Sequence, residues 1–195
     1  MNLFLSKLQH LKRTQIYFSM KKFLLALSLG LFMSLSLGLF MWSCTPVSED
    51  SSVTTFYLIR HAEKDRSEGV GKDPQLTENG LKRAQRWAEV LGLEPLDAVY
   101  STDYQRTRQT AAPAAMANGL EITLYEPNAF DAKAWIDQHK GQRVLIVGHS
   151  NTTPMLVNKL LAEERFSDIN DSVNGNLYVV TAIGETVGVE LLSVE

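Results

Sequence analysis

The chain of 195 residues carries one cysteine, Cys44. That excludes an intramolecular disulfide and any zinc site built from several thiolates. Positive charge is also in short supply. There are 19 Lys and Arg against 22 Asp and Glu, a net charge of −3, and no basic run after the N-terminal region. A global basic field that would draw nucleic acid is therefore missing, and no nucleic-acid partner is expected. There is no internal repeat. No carboxylate cluster stands out that would hold a metal ion, so neither metal nor cofactor is expected.

Charge is missing altogether from Phe23 to Trp42, "FLLALSLGLFMSLSLGLFMW", which follows Lys21 and Lys22. About 20 apolar residues are enough to span a bilayer as a helix. Basic residues, an apolar core and small residues before a cysteine also describe a secretory signal. The run closes on Ser43-Cys44 and resembles a bacterial lipoprotein signal, although Met41 and Trp42 are larger than usual there. An uncleaved membrane anchor is the other reading. The expectation is an exported protein in the cell envelope, tied to the membrane by a lipid on Cys44 or by the helix itself. Met20-Lys21-Lys22 reads as the start, leaving residues 1–19 as an over-extended gene start. Residues 1–43 are thus a leader. Residues 44–52, with "TPVSEDSS", are a polar tether. Residues 53–195 are a single domain, large enough to bury one sizeable core.

Within the domain, strand-like and helix-like stretches alternate. Val53 to Ile59 is rich in β-branched and aromatic residues. "TENGLKRAQRWAEVLG" places Leu81, Ala84, Ala88 and Leu91 at helical spacing, with Thr77 as N-cap and Gly92 as stop. "LDAVYS" is a short strand. Asp103 is placed to cap a helix through "YQRTRQTAAPAAMA", whose second half Pro113 puts in question. "EITLY" is a strand and "DAKAWIDQH" a helix. "RVLIVGH" is apolar throughout, as a strand buried on both faces would be. "TPMLVNKLLAEE" tolerates Pro154 near its start. "NLYVVTAI" and "TVGVELLSV" flank Gly184-Glu185 as a hairpin. The pattern predicts a three-layer α/β/α sandwich with a mostly parallel sheet and an antiparallel strand at its edge.

Two strands end alike. The first runs into Arg60-His61, and "VLIVGH" runs into Gly148-His149. In a parallel sheet both histidines reach the carboxyl edge, where open α/β sheets bind ligands. "VYSTDYQRTRQTA" brings Arg106 and Arg108 to the same edge. Residues two apart on a helix point about 200° apart, so one of the two arginines faces solvent. Two histidines and an arginine pair make an anion site with a nucleophile in it.

"LIRHAEK", "YSTDYQRTRQTA" and "VLIVGHSNT" resemble the signature blocks of the histidine phosphatase superfamily, which includes the cofactor-dependent phosphoglycerate mutases. The blocks stand in the family order. Ala62 replaces the glycine usual after the first histidine. Arg106, four residues before Thr110-Ala111, meets the family spacing, and Arg108 does not. The resemblance implies that His61 is the nucleophile that becomes phosphohistidine. It also implies that Arg60 and Arg106 clamp the phosphate and that His149 donates to a phosphoryl oxygen. Ser150 to Thr153 precede a helix whose free N–H groups would add to the anion site, with Ser150 and Asn151 as substrate-binding candidates, and Lys64 would add a further positive charge. The general acid is open between Glu126, in the loop after the third strand, and Glu63, two residues past the nucleophile, with Asp131 also nearby. The expected activity is hydrolysis of a small phosphorylated substrate. A binding lipoprotein that recognises phosphorylated ligands without catalysis is the alternative, and a mutase ranks behind both, because the domain lacks long covering insertions.

Overall fold

The computed structural model describes residues 52–194, which lie within the compact unit Glu49–Glu195. The leader, Cys44 and the tether up to residue 51 lie outside the described residues. The chain runs β1 (Val53–Arg60), α1 (Glu78–Leu91), β2 (Ala98–Ser101), α2 (Gln105–Ala117), β3 (Ile122–Leu124), a short 3₁₀ turn (Pro127–Ala129), α3 (Ala132–Gln138), β4 (Arg143–Gly148), α4 (Thr152–Leu161), β5 (Asn176–Ile183) and β6 (Thr186–Ser193).

The six strands form one sheet in the order β3-β2-β4-β1-β5-β6. The first four are parallel to one another. β5 runs antiparallel to β1, and β6 returns antiparallel to β5 as the edge. The sandwich is the one expected, with one refinement. The reversed strand is β5, one position in from the edge, because the hairpin adds its first arm directly to β1. Gly184 turns that hairpin with φ of 56°, a conformation costly for a residue with a Cβ.

Side chains of β1 alternate between two cores. Phe56 and Leu58 join Ile146, Leu156 and Tyr178 on one face. Ile59 joins Trp87, Leu145, Val147 and Ala111 on the other. Helices cover both faces, so β4 has no polar side to show, and Val144 to Val147 are all buried. Each such side chain stabilises the fold by about 1.5–3 kcal/mol relative to exposure. Leu81 departs from expectation and is 51% exposed; the buried stripe of α1 is Gly80, Ala84, Trp87, Ala88 and Leu91. Helix α2 continues through Pro113 to Ala117. Asp103 does not cap it. Its carboxylate pairs with Arg108, and Asp73 reaches across to accept from Gln105 N at 2.9 Å.

Parallel pairing aims the strand tips. Arg60 is in register with Gly148, and His61 N donates to the Gly148 carbonyl at 2.9 Å. The chain after His61 is then pinned by α1. The Glu63 carbonyl accepts from Thr77 N at 2.8 Å and from Thr77 Oγ1 at 3.2 Å, while Thr77 caps the helix through Gly80 N. A Cβ on Gly80 would stand 2.2 Å from that carbonyl oxygen. Helix propensity alone favours Gly80→Ala by about 1 kcal/mol. The backbone contact reverses the sign. Gly80→Ala is expected to lower unfolding stability by about 1–3 kcal/mol in urea titration; a stabilised variant would show that α1 does not bear on the Glu63 backbone.

Candidate active site

Arg60, at the tip of β1, is 2% exposed. Its Nη1 donates to the carbonyls of Asn170, Asp171 and Val173 at 3.0–3.1 Å, and its Nη2 to Asp171 Oδ1 at 2.5 Å. The other Asp171 oxygen meets Arg66 at 2.7 Å. Arg66 and Arg60 together hold the Asp171 carboxyl far below the usual range. Arg60 therefore anchors the 170–173 segment as well as facing the cavity. Its Nε is buried and has no hydrogen-bond partner.

His61 is 3% exposed. Its Nδ1 lies 2.8 Å from the Ala62 carbonyl. A carbonyl only accepts, so Nδ1 carries the hydrogen and Nε2 keeps the lone pair. Burial pushes the ring's pKa down to about 3, helped by Arg60, His149 and Arg106 and opposed by the Ala62 carbonyl. The ring is thus neutral, as a nucleophile must be. Asn174 Nδ2 donates to the His61 carbonyl at 3.0 Å. Ala62, where glycine is usual, is fully buried beside Leu76 and Ala84. It has no positive φ, so its methyl group fits without backbone strain.

Arg106 comes from the first turn of α2. Its guanidinium lies over the Tyr104 ring, 4.3 Å from the centroid, and 3.5 Å from Asp73. Nε and Nη1 are buried without hydrogen-bond partners, Nη1 being the atom nearest Asp73, and both are donors that an anion could engage. Arg108 pairs with Asp103 away from this point. His149 leaves β4 beside His61, with ring centroids 5.5 Å apart. Burial and the neighbouring Arg106, Lys64 and Arg60 push its pKa down to about 4. Gly148 has no room for a Cβ, which would meet the hydroxyls of Thr152, Thr153 and Tyr125 at 2.9–3.1 Å.

These groups line a cavity of about 620 Å³. Lys64 lines it too and has no carboxylate within ion-pair reach among the described residues; its ammonium is shifted down by burial and by Arg106. Ser150 and Asn151 bring the start of α4 to the cavity. The candidate acids separate. Glu126 lines the cavity and is exposed. Glu63 does not line it: Oε1 accepts from Arg83 Nε at 2.8 Å, at a smaller cavity beside Lys82 and Arg86. Asp131 caps α3 through Ala134 N. Among the described residues no three His, Cys, Asp or Glu gather to hold a metal. Sequence reasoning missed Asp73, Asp171 and Asn174. Asp73 sits in a stretch that reads only as a charged loop, and residues 170–174 carry no pattern at all.

Two buried neutral histidines make stability depend on pH. In the unfolded chain both charge below their ordinary 6.5, while the folded rings resist until about 4 for His149 and about 3 for His61. Between pH 6.5 and 4 the unfolded state binds more protons, so stability falls as pH falls. The slope is below about 1.4 kcal/mol per pH unit for each ring, since both rings border the solvent-filled cavity. Urea unfolding is expected to show lower stability at about pH 5 than at about pH 7, and a His61→Gln/His149→Gln double variant to flatten the difference. An equally steep profile in the double variant would assign the slope to other groups.

Comparison with known proteins supports the same reading. The family model described as histidine phosphatase superfamily (branch 1) matches residues 56–127. Phosphoserine phosphatase 1 of Hydrogenobacter thermophilus is 32% identical over 109 residues, covering 53% of this chain and 44% of that protein. The match thus spans less than half of that relative's length. Among solved structures, the protein histidine phosphatase SixA complexed with tungstate aligns with a TM-score of 0.57 at 16% identity, over 71% of this chain and 96% of that one. A phosphoserine phosphatase from Entamoeba histolytica, in complex with 3-phosphoglyceric acid, aligns with 0.55 at 17%, over 73% and 98%. Phosphoglycerate mutase from Bacillus anthracis aligns with 0.55 at 17%, over 75% and 94%. At such identities these three likenesses are of fold. Residues 56–127 are thus similar in sequence to histidine phosphatases of branch 1, and the domain shares the fold of these three structures.

Proposed function

We propose that the domain hydrolyses phosphomonoesters through a phosphohistidine on His61. One observation carries the reading. His61 is neutral, its Nδ1–H is spent on the Ala62 carbonyl, and it shares a cavity with Arg106, whose Nε and Nη1 have no hydrogen-bond partner and whose Nη1 has only the Asp73 carboxylate at 3.5 Å. In the first step the Nε2 lone pair forms a bond to phosphorus as the ester P–O bond breaks. Arg106 and Arg60 Nε stabilise charge on the equatorial oxygens, which is most of what this reaction asks of a protein. The leaving oxygen takes a proton, and Glu126 is the carboxyl within the cavity placed to give it. Water then attacks the phosphohistidine, with Glu126 taking its proton back. The steps need no metal.

The comparisons leave the substrate open, since the relatives' names cover phosphoserine, protein histidine and phosphoglycerate chemistry. The four central residues read a phosphoryl group and nothing beyond it. A mutase is disfavoured because it must exclude water from the intermediate, and this cavity is open around an exposed Glu126. We further infer that residues 1–43 export the domain and that a lipid on Cys44 tethers it to the envelope. A mass measurement on membrane-extracted protein tests this: a diacylated Cys44 terminus is expected, and an unmodified Cys44 overturns it.

Phosphate release decides the activity. His61→Ala is expected to fall to background with every ester, and acid-labile label should appear on His61 of the native protein after rapid quench. Glu126→Gln is expected to lose about 10²-fold or more in kcat on esters with poor leaving groups and much less on activated aryl esters. Glu63→Gln should stay within a few-fold of native, since its carboxylate belongs to Arg83. Phosphate binding without release or adduct would instead make this a binding module.

A further inference from the structure

His149 is wired through Nε2 into a chain of hydroxyls whose direction can be worked out. Thr107 Oγ1 lies 2.8 Å from the Thr102 carbonyl and 2.9 Å from the Tyr104 carbonyl. Carbonyls only accept, so the one hydroxyl hydrogen of Thr107 points to them. Thr102 Oγ1 is 3.1 Å from Thr107 Oγ1. With the Thr107 hydrogen spent, Thr102 is the donor there. Thr102 Oγ1 is also 3.0 Å from His149 Nε2. With the Thr102 hydrogen spent in turn, the hydrogen between them belongs to His149 Nε2. Thr102 is 3% exposed and Thr107 fully buried, so water does not compete to reverse the chain.

A neutral His149 then has its lone pair on Nδ1, which faces the Arg106 Nη2 donor at 3.5 Å. The groups around the ring agree with a neutral state. Arg60 from β1, Lys64 after it and Arg106 from α2 are cationic. Asp73 opposes them weakly, and the rings of His61 and Tyr104 complete the surroundings at 5.5 and 5.0 Å. A lone pair cannot donate to a phosphoryl oxygen. Two acceptors facing each other repel unless a proton lies between them.

We propose that this site takes up a phosphoryl group together with one proton, which lands on His149 Nδ1, and that Thr102 and Thr107 are the positioning residues that reserve that atom for it. This rests on the reading of the cavity as a phosphoryl site and alters one role in it: His149 becomes a donor only once the site is filled. The proton leaves the P–OH of a singly protonated ester, or an acid in solution, and forms the Nδ1–H bond. The phosphoryl oxygen keeps its electron pair and accepts from that N–H. The incoming anion supplies the negative charge that favours imidazolium, where the protein alone offers only the weak effect of Asp73. The preferred ligand is therefore a phosphomonoester with its proton, and binding weakens as pH rises.

Tungstate is a suitable probe, because it binds without turnover and does not itself titrate near neutrality. Calorimetric titration at about pH 6.5, in two buffers of different protonation enthalpy, reads the protons taken up. The native protein is expected to take up more than about half a proton per tungstate, and its dissociation constant to rise up to about tenfold per pH unit above that pH. Thr102→Ser should keep the native uptake. Thr102→Val, whose freed ring can carry its hydrogen on Nδ1 while neutral, should lose most of it, and His149→Gln should lose all of it. Tungstate binding by the native protein with no proton uptake overturns the proposal and leaves the phosphoryl site standing. No tungstate binding at all overturns the phosphoryl reading itself. Native uptake in Thr102→Val removes the threonines from the mechanism, and if that variant does not fold, the native and His149→Gln titrations still decide where the proton goes.

Discussion

Everything at the site follows from the parallel pairing of β1 with β4. The register that sets Arg60 beside Gly148 makes the two strands end together. Each then delivers a histidine at the same height, and no loop has to find its partner. A slip of one residue would turn His61 to the opposite face of the sheet. Slippage is opposed by the alternating burial of Phe56 and Leu58 on one face and Ile59 on the other. The core thus stabilises the fold and sets the spacing of the chemistry in one stroke.

The second constraint is electrostatic. Cations crowd the cavity, and burial alone would make them expensive. The chain answers with a few displaced acceptors. Asp171 and three carbonyls take most of Arg60, Asp73 and the Tyr104 ring stand by Arg106, and the histidines are kept neutral. What is left without a hydrogen-bond partner includes the Nε of each arginine, the hydroxyl of Tyr125 and Nη1 of Arg106, which has only Asp73 at 3.5 Å. Donors in that state are what an entering anion would engage.

The parts of this arrangement that follow a period or a terminus were legible in the sequence. Alternation marked β1, continuous apolarity marked β4, and the two histidines stood at the ends of both. Spacing separated Arg106 from Arg108. Topology from hydrophobic runs gave the layers, but not that the hairpin would set β5 against β1. The acids were harder, because a carboxylate's role depends on which cation it meets in space. Glu63 is two residues from His61 in sequence yet turned to Arg83, since the backbone there is fixed by Thr77 and Gly80. Asp103 looked like a cap, and the cap came from Asp73, 32 residues earlier than the amide it holds. Such pairings leave no periodic trace. The expected processing signal ending at Cys44 lies outside the described residues.

The grip on the strand tip comes from far down the chain. Residues 170–173 hold Arg60 from 110 to 113 positions away, and Asn174 holds the His61 carbonyl from 113. β1 is itself flanked by β4 and β5, neither of which exists when His61 is made. Contacts so distant in sequence close late and at an entropic cost. A chain still being synthesised therefore carries its candidate nucleophile long before it has any means of aiming it, and the site takes shape only with the completed hairpin.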